Sequence, residues 1–312
     1  MLFGYWVPNP YLKKNPKPKD KLLGFWFNRL WEMAISAFKI DGDEFYGVNA
    51  TMNDRFLLSK LFQFGYAGIA KDTEGKLRGL NCVAIGMDPY MFPKNLGFHN
   101  HALGDYDRTV NETCVFMPCN KYCEPIISKI CKYAEQLANI DLTLDVNVQN
   151  IRTTKVFIAN NDGEGQQIRR MMEDVENGLP ATLIKSSLRD SIIGSKGNSL
   201  PAYTFSEQYF ADKMIQDVRS KIAEFLNMFG VDSSGANQLK GERNLVDEVH
   251  SNDQEVAVNR AFWIDPMQEA FDKCKELWGV NWKIDIVGRD EIESRMATAQ
   301  SIADSSEFSP ES

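Results

Sequence analysis

The side chains able to do acid-base, nucleophilic or metal chemistry are few in this chain and poorly grouped for it. There are three histidines in 312 residues. His99 and His101 form an HxH pair, which would put both rings on one side of a strand, an arrangement that metals favour. Their stretch is rich in turn formers and reads as holding solvated or hydrogen-bonded imidazoles. Three of the six cysteines, Cys114, Cys119 and Cys123, are close together. A tetrahedral zinc site needs four ligands at suitable spacing, and this run has neither a CxxC pair nor a histidine. Asp105, Asp107 and Glu112 are carboxylates of the kind that hold Mg²⁺ for phosphodiester chemistry. Their turn-rich, solvated setting argues against it, and a metal-dependent nucleic-acid-processing enzyme stands as the alternative reading. No GxxxxGK[ST], HExxH or GxSxG motif occurs, and the Gly-rich segments GEG (163–165) and GSKG (194–197) lack a strand-to-helix context. The sequence predicts no enzyme, no cofactor and no metal.

Composition narrows the class further. Hydrophobic residues make up 43% and charged residues 25% of the chain, the balance of an ordinary globular protein. The start, MLFGYWVPNP, lacks the basic and apolar regions of a secretory signal. The most apolar window, Leu22 to Ile40, carries Asn28, Arg29, Glu32 and Lys39, so it reads as a buried or intersubunit helix instead of a membrane span. With Cys82, Cys131 and Cys274, the cysteines read as reduced thiols of a cytosolic protein. The formal net charge of -8 argues against a broad face that grips nucleic acid. It leaves room for a wall past which DNA slides, because an acidic surface repels phosphate.

The elements that must position these residues follow from period and punctuation. Residues 1–21 read as a flexible, extended basic arm, with Lys13, Lys14, Lys17, Lys19 and Lys21 interleaved by Pro16 and Pro18. An almost wholly apolar helix over Asp20–Phe38 needs cover on most sides. A second helix is capped by Asn53 and closed by Gly65. Short apolar runs between Tyr66 and Pro118, broken by Gly75, Gly86, Pro89 and Pro93, predict small antiparallel strands. After Asn120 the stripe Ile127, Ile130, Ala134, Leu137, Ile140 is helical. Leu142, Leu144, Val146 and Val148 then alternate strictly, which by itself says strand.

Residues 151–205 read as a separate small lobe with strands KVFIA and ATLIKS. Ser206 caps a long amphipathic helix that ends at Gly230. The polar loop after it gives way to helix from about Asn244, interrupted near Pro266 and closed by Gly279. VNWKIDI alternates as a strand, a polar helix covers 290–302, and SSEFSPES reads as disordered.

Two segments go beyond period. FQFGYAGIAKD (62–72) and GERNLVDEVHSNDQEVAVNRAFWI (241–264), followed by EAFDKCKELWGVNWKI, resemble the upper collar proteins of small protein-primed podophages. That family is also called the portal or head-tail connector. The resemblance implies an α+β subunit with long stem helices, a small α/β clip, an α/β wing and a helical crown, assembled as a ring. On this chain it implies a basic arm (1–21), N-terminal helices and wing (22–119), a stem helix (120–150) and a clip (151–205). A second stem helix (206–230), a channel loop (231–247), a wing helix and strand (248–287) and a crown with a disordered tail (288–312) complete it. For 141–150 the resemblance says helix, and helix is the expectation carried forward.

It further implies a dodecamer at one capsid vertex, a conduit for genome packaging and ejection, and the attachment point of the tail. The implied location is the virion, with assembly in the host cytoplasm. The implied partners are double-stranded DNA passing through, the major capsid and scaffold proteins, the lower collar or tail protein, the packaging ATPase and packaging RNA; no membrane is involved. Lys213 matches a channel lysine of the family, and a second family lysine, nine residues earlier, is Thr204 here. Lys240 and Arg243 match its channel loop as candidates to touch DNA, and the five arm lysines are candidates to contact nucleic acid or the motor.

Overall fold

The computed structural model describes residues 8–45, 50–100, 104–153, 155–156, 166, 203–204, 211–232 and 246–307. Contacts divide the chain into two compact units, one of Met1–Asp141 with Ile215–Ser312 and one of Leu142–Met214. The fold is α+β, with every described strand pair antiparallel. Among the described residues no helix is long and apolar enough to cross a membrane.

In the larger unit, α1 (Pro18–Ser36) starts with proline in its first turn, where the missing N–H costs nothing. The Asp20 carboxylate accepts the Lys17 N–H at 3.1 Å. Leu23, Trp26, Phe27, Leu30, Trp31, Met33, Ala34 and Ile35 are all buried, so the helix is covered on most sides as its composition requires. Its last turn has no basic residue of its own. Arg295, from α6 (Arg289–Glu307), supplies the cation and donates to the carbonyls of Ser36 and Phe38 at 2.9 and 2.7 Å. β1 (Phe38–Asp41) pairs with β10 (Lys283–Ile286), joining the two ends of the sequence.

α2 (Asp54–Phe64) has the expected cap, the Asn53 side chain accepting the Phe56 N–H at 2.8 Å. Gly65 ends it at φ +84. β2 (Tyr66–Lys71) then sits between β3 (Leu77–Leu80) and β7 (Cys114–Pro118). β4 (Val83–Met87), β5 (Pro93–Asn100) and β6 (Gly104–Thr109) form a second three-stranded sheet in that order.

α3 (Ile127–Thr153) contributes residues to both units, as does α4 (Ala211–Asn227). The alternation over 142–148 makes no strand, because the backbone continues the helix begun at Ile127. A short alternating run does not outweigh extension of an existing helix, which adds one hydrogen bond per residue fixed. β8 (Lys155–Val156) pairs with β9 (Tyr203–Thr204), in the register Lys155↔Thr204. Strand ATLIKS and the Ser206 cap lie outside the described residues.

α5 (Val246–Trp278) corrects one expectation, since it runs uninterrupted through Pro266. A mid-helix proline removes one hydrogen bond and usually bends or breaks the helix. Here Trp263 and Met267, buried on either side of it, fix both halves against the same core. A second correction concerns the tail, where α6 continues to Glu307 and includes the start of SSEFSPES.

The core is aromatic. Phe38 lies 5.3 Å from Phe62 and 5.8 Å from Phe229, ring centre to ring centre, and Phe229 lies 5.1 Å from Trp263. These rings come from β1, α2, the turn after α4, and α5. Trp263 keeps its polar handle satisfied by donating Nε1–H to the Met228 carbonyl at 2.9 Å.

Gly65 is the position where this packing tolerates least. Its left-handed backbone suits glycine, and an added Cβ would collide with the backbone carbonyl of Cys123. Gly75 has a similar φ of +80 and open space around it. Replacing Gly75 with Ala is expected to cost about 1 kcal/mol, and Gly65→Ala about 3 kcal/mol through added overpacking. Urea unfolding of both variants checks this, and equal losses would contradict it.

Candidate nucleic-acid interface

The basic arm is more ordered than its composition predicts. From residue 8 onward it is described, and α1 already begins at Pro18, so Lys19 and Lys21 are helical. Asn9 donates from Nδ2 to the Gly24 carbonyl at 3.1 Å and to Asn28 Oδ1 at 2.7 Å. The Tyr11 hydroxyl donates to Glu135 of α3 at 3.0 Å, and its ring meets Phe27 edge-on. Burial, with Cys131 and Glu135 beside it, raises the Tyr11 hydroxyl above its ordinary pKa. Both anchors precede the lysines in sequence. Lys14, Lys17, Lys19 and Lys21 are exposed, while Lys13 pairs with Asp20 at 2.7 Å and that bond holds the carboxyl below its usual value. Sequence reasoning found the cations and missed the anchors, whose partners lie as many as 124 residues away.

Lys213 stands in the first turn of α4, next to Asp212, and is exposed. Ile222, Phe225 and Leu226 are the buried side of that helix, so the outward side carries Lys213, Gln216, Asp217 and Ser220 at helical spacing. Tyr133 of α3 packs on Phe225 at 5.4 Å and donates to Glu224 at 3.1 Å, tying the two helices together within the larger unit. Lys240 and Arg243 lie outside the described residues. Of the three candidate channel cations, Lys213 is the one that falls within the described residues.

The metal candidates fare no better. Asp105 and Asp107 are two residues apart on β6, with Glu112 in the following turn. Asp105 stands opposite His99 in register; His101 lies outside the described residues. Among the described residues no three His, Cys, Asp or Glu side chains group as metal ligands would. Cys114 and Cys119 are buried thiols, and desolvation pushes both up, Cys114 to about 12. Cys123 is raised for the same reason. A coordinating sulfur must be a thiolate, which burial of this kind opposes.

With the fold and these cations in place, comparison with known proteins supplies the class. The family model for Phage Connector (GP10) matches residues 12–292, and the chain belongs to that family. It is a phage connector, a portal protein of the head-tail junction. Among solved structures it is similar to a chain in the portal and tail of native bacteriophage P68. That match has 16% identity, 93% of each chain covered and a TM-score of 0.49. A chain from the virion of a native gene transfer agent particle matches at 11% identity, over 96% of this chain and 92% of that one, with a TM-score of 0.46. An HK97 family phage portal protein from Corynebacterium diphtheriae matches at 12% identity, over 86% and 95%, with a TM-score of 0.35.

The protonated thiols give the fold an alkaline limit. Burial lifts Cys82, Cys114 and Cys274 to about 12 from an ordinary 9.0. A folded-state pKa above the unfolded one stabilises fully below the unfolded value, and that stability is lost as pH rises toward the folded one. Urea midpoints are expected to hold up to about pH 9 and fall steeply between about 9 and 12. Cys274→Ala should flatten part of that decline. A midpoint that stays flat to about pH 11 would refute the assignment.

Proposed function

We propose that this chain forms a dodecameric portal ring at one capsid vertex, through which DNA enters on packaging and leaves on ejection, and onto which the tail docks. The observation that carries the reading is the family match across residues 12–292. In that ring α3 and α4 are the stem, residues 151–205 the clip, and 231–247 the channel loop bearing Lys240 and Arg243. The wing is formed by the sheets between residues 66 and 118 together with α5, and the crown by the C-terminal part. The partners are double-stranded DNA, the major capsid and scaffold proteins, the lower collar or tail protein and the packaging ATPase. The chain acts as a structural conduit and carries out no catalysis.

Ring symmetry supplies the mechanism. Any residue facing the axis recurs once per subunit, so a single Lys213 per chain becomes a belt of positive charge. Thr204 stands where the family has its second channel lysine, so one of the two positive belts is lost in this chain. Across about 10 Å of water one such charge attracts a phosphate by roughly 0.4 kcal/mol, below thermal energy and further screened by salt. DNA is guided and not held. The exposed arm lysines, presented by the anchors at Asn9 and Tyr11, serve a second contact, with the packaging motor or its RNA.

Native mass spectrometry of the purified chain is expected to give closed rings of about a dozen copies; a monomer with Mg²⁺-dependent nuclease activity would favour the enzyme instead. Deleting residues 233–243 is expected to leave rings and capsids intact while packaged DNA leaks out, and full-length genomes retained by the mutant would count against the channel-loop role. Changing Lys14, Lys17, Lys19 and Lys21 to Ala leaves the arm anchored. It should weaken binding of packaging RNA and make the salt dependence shallower, by about one unit of slope for each phosphate that a lysine had neutralised. An unchanged gel shift would rule out the arm's role in binding RNA.

A further inference from the structure

β4 carries an apolar face that nothing among the described residues covers. Val83, Ile85 and Met87 alternate onto one side of it and are 53%, 38% and 45% exposed. The hairpin tip that follows adds Tyr90, Met91 and Phe92 at 82%, 75% and 59%. Among the described strands β4 is also an edge, paired with β5 alone, and VAIGM contains no charge or proline to blunt that edge.

The tip is built rather than loose. The Asp88 carboxylate accepts the N–H groups of Tyr90 at 2.8 Å and Phe92 at 2.9 Å, and the Asp88 N–H donates to the Phe92 carbonyl at 2.9 Å. Met91 is held at φ +66, a conformation that side chains rarely adopt without surrounding constraint. On the sheet, Gly97 makes room for Ile85, since a Cβ there would come within 2.9 Å of its Cδ1. Fixed apolar anchors lose little entropy on binding. Phe92 also lines a groove of about 610 Å³ in which Phe116, Pro118 and Pro266 are mixed with Lys94, Glu269 and Lys273.

We propose that this β4 face and hairpin tip is the surface on which a second copy of the chain docks, an inference that rests on the ring reading. Three observations favour that occupant. At these exposures the six side chains present about 600 Å² of surface, close to the contribution of one partner to a standard interface and at the upper limit for a monomer's largest patch. Head-to-tail ring contacts need two unlike patches on each subunit. A second one exists, where Tyr122, 78% exposed, packs at 5.6 Å on Phe262 of α5, one turn from Val258 at 69%. Finally, an open apolar strand edge aggregates unless it is covered promptly, and the partner always present as the chain folds is another copy.

The test uses the full chain carrying Val83→Lys and Ile85→Lys, whose side chains are exposed, with urea unfolding to verify the fold. At concentrations where wild type closes into rings, the variant is expected to stay monomeric or in open fragments, with association weakened at least about tenfold. A photo-crosslinking amino acid at Tyr90 should join subunits covalently near Tyr122 or Phe262. Rings of unchanged size and midpoint, or a Tyr90 probe that reacts only with capsid protein in assembled heads, would overturn the inference. If wild type itself never oligomerises, the ring reading falls and takes this inference with it; a wild-type ring indifferent to the lysines sinks this inference alone.

Discussion

The main core of the larger unit is built around the packing together of four aromatic rings, Phe38, Phe62, Phe229 and Trp263. Each comes from a different part of the sequence, and Phe38, Phe62 and Phe229 are fully buried. Edge-to-face and tilted packing at these distances adds to the transfer of apolar area from water. The cluster explains why α5 survives its proline, since Trp263 on one side and Met267 on the other are held by the same core. It also sets which side of α4 looks outward: with Phe225 and Phe229 committed inward, Lys213 is left on the opposite side. A candidate contact residue is thus positioned by rings that it never touches.

Much of this was readable locally. Asn53 and Gly65 delimit α2 because a cap and a left-handed stop act on their own immediate backbone. The strands between residues 66 and 118 were readable because turn formers separate them. Pro266 misled for the opposite reason, whereas at 142–148 the helix that the resemblance implies is what forms, against the local alternation. Each is a local signal overruled by a longer-range one, tertiary packing in the first case and continuation of an established helix in the second. The order of the arm was not legible at all, since Asn9 and Tyr11 look like any polar or aromatic residue until Gly24 and Glu135 are brought beside them.

The candidate interface was legible in kind and not in place. Lysines can be counted from sequence, and a family order can point to Lys213, but nothing in the chain says which residues face an axis that exists only between subunits. The same limit applies to VAIGM. Alternating Val83, Ile85 and Met87 announce an amphipathic strand, and a single sequence ordinarily assigns the apolar side to the interior. Only the structure shows that Leu96 and Phe98 of the neighbouring strand fill the interior, leaving the β4 stripe outside.

The pairing of β1 with β10 and the hold of Arg295 on the carbonyls at the end of α1 bear on synthesis. The C-terminal end of α1 is completed late in synthesis, because its closing partners lie more than 250 residues downstream. Until residues 283–295 are made, the larger unit lacks the strand and the cation that close it, so its folding is completed late, after most of its contacts have become available.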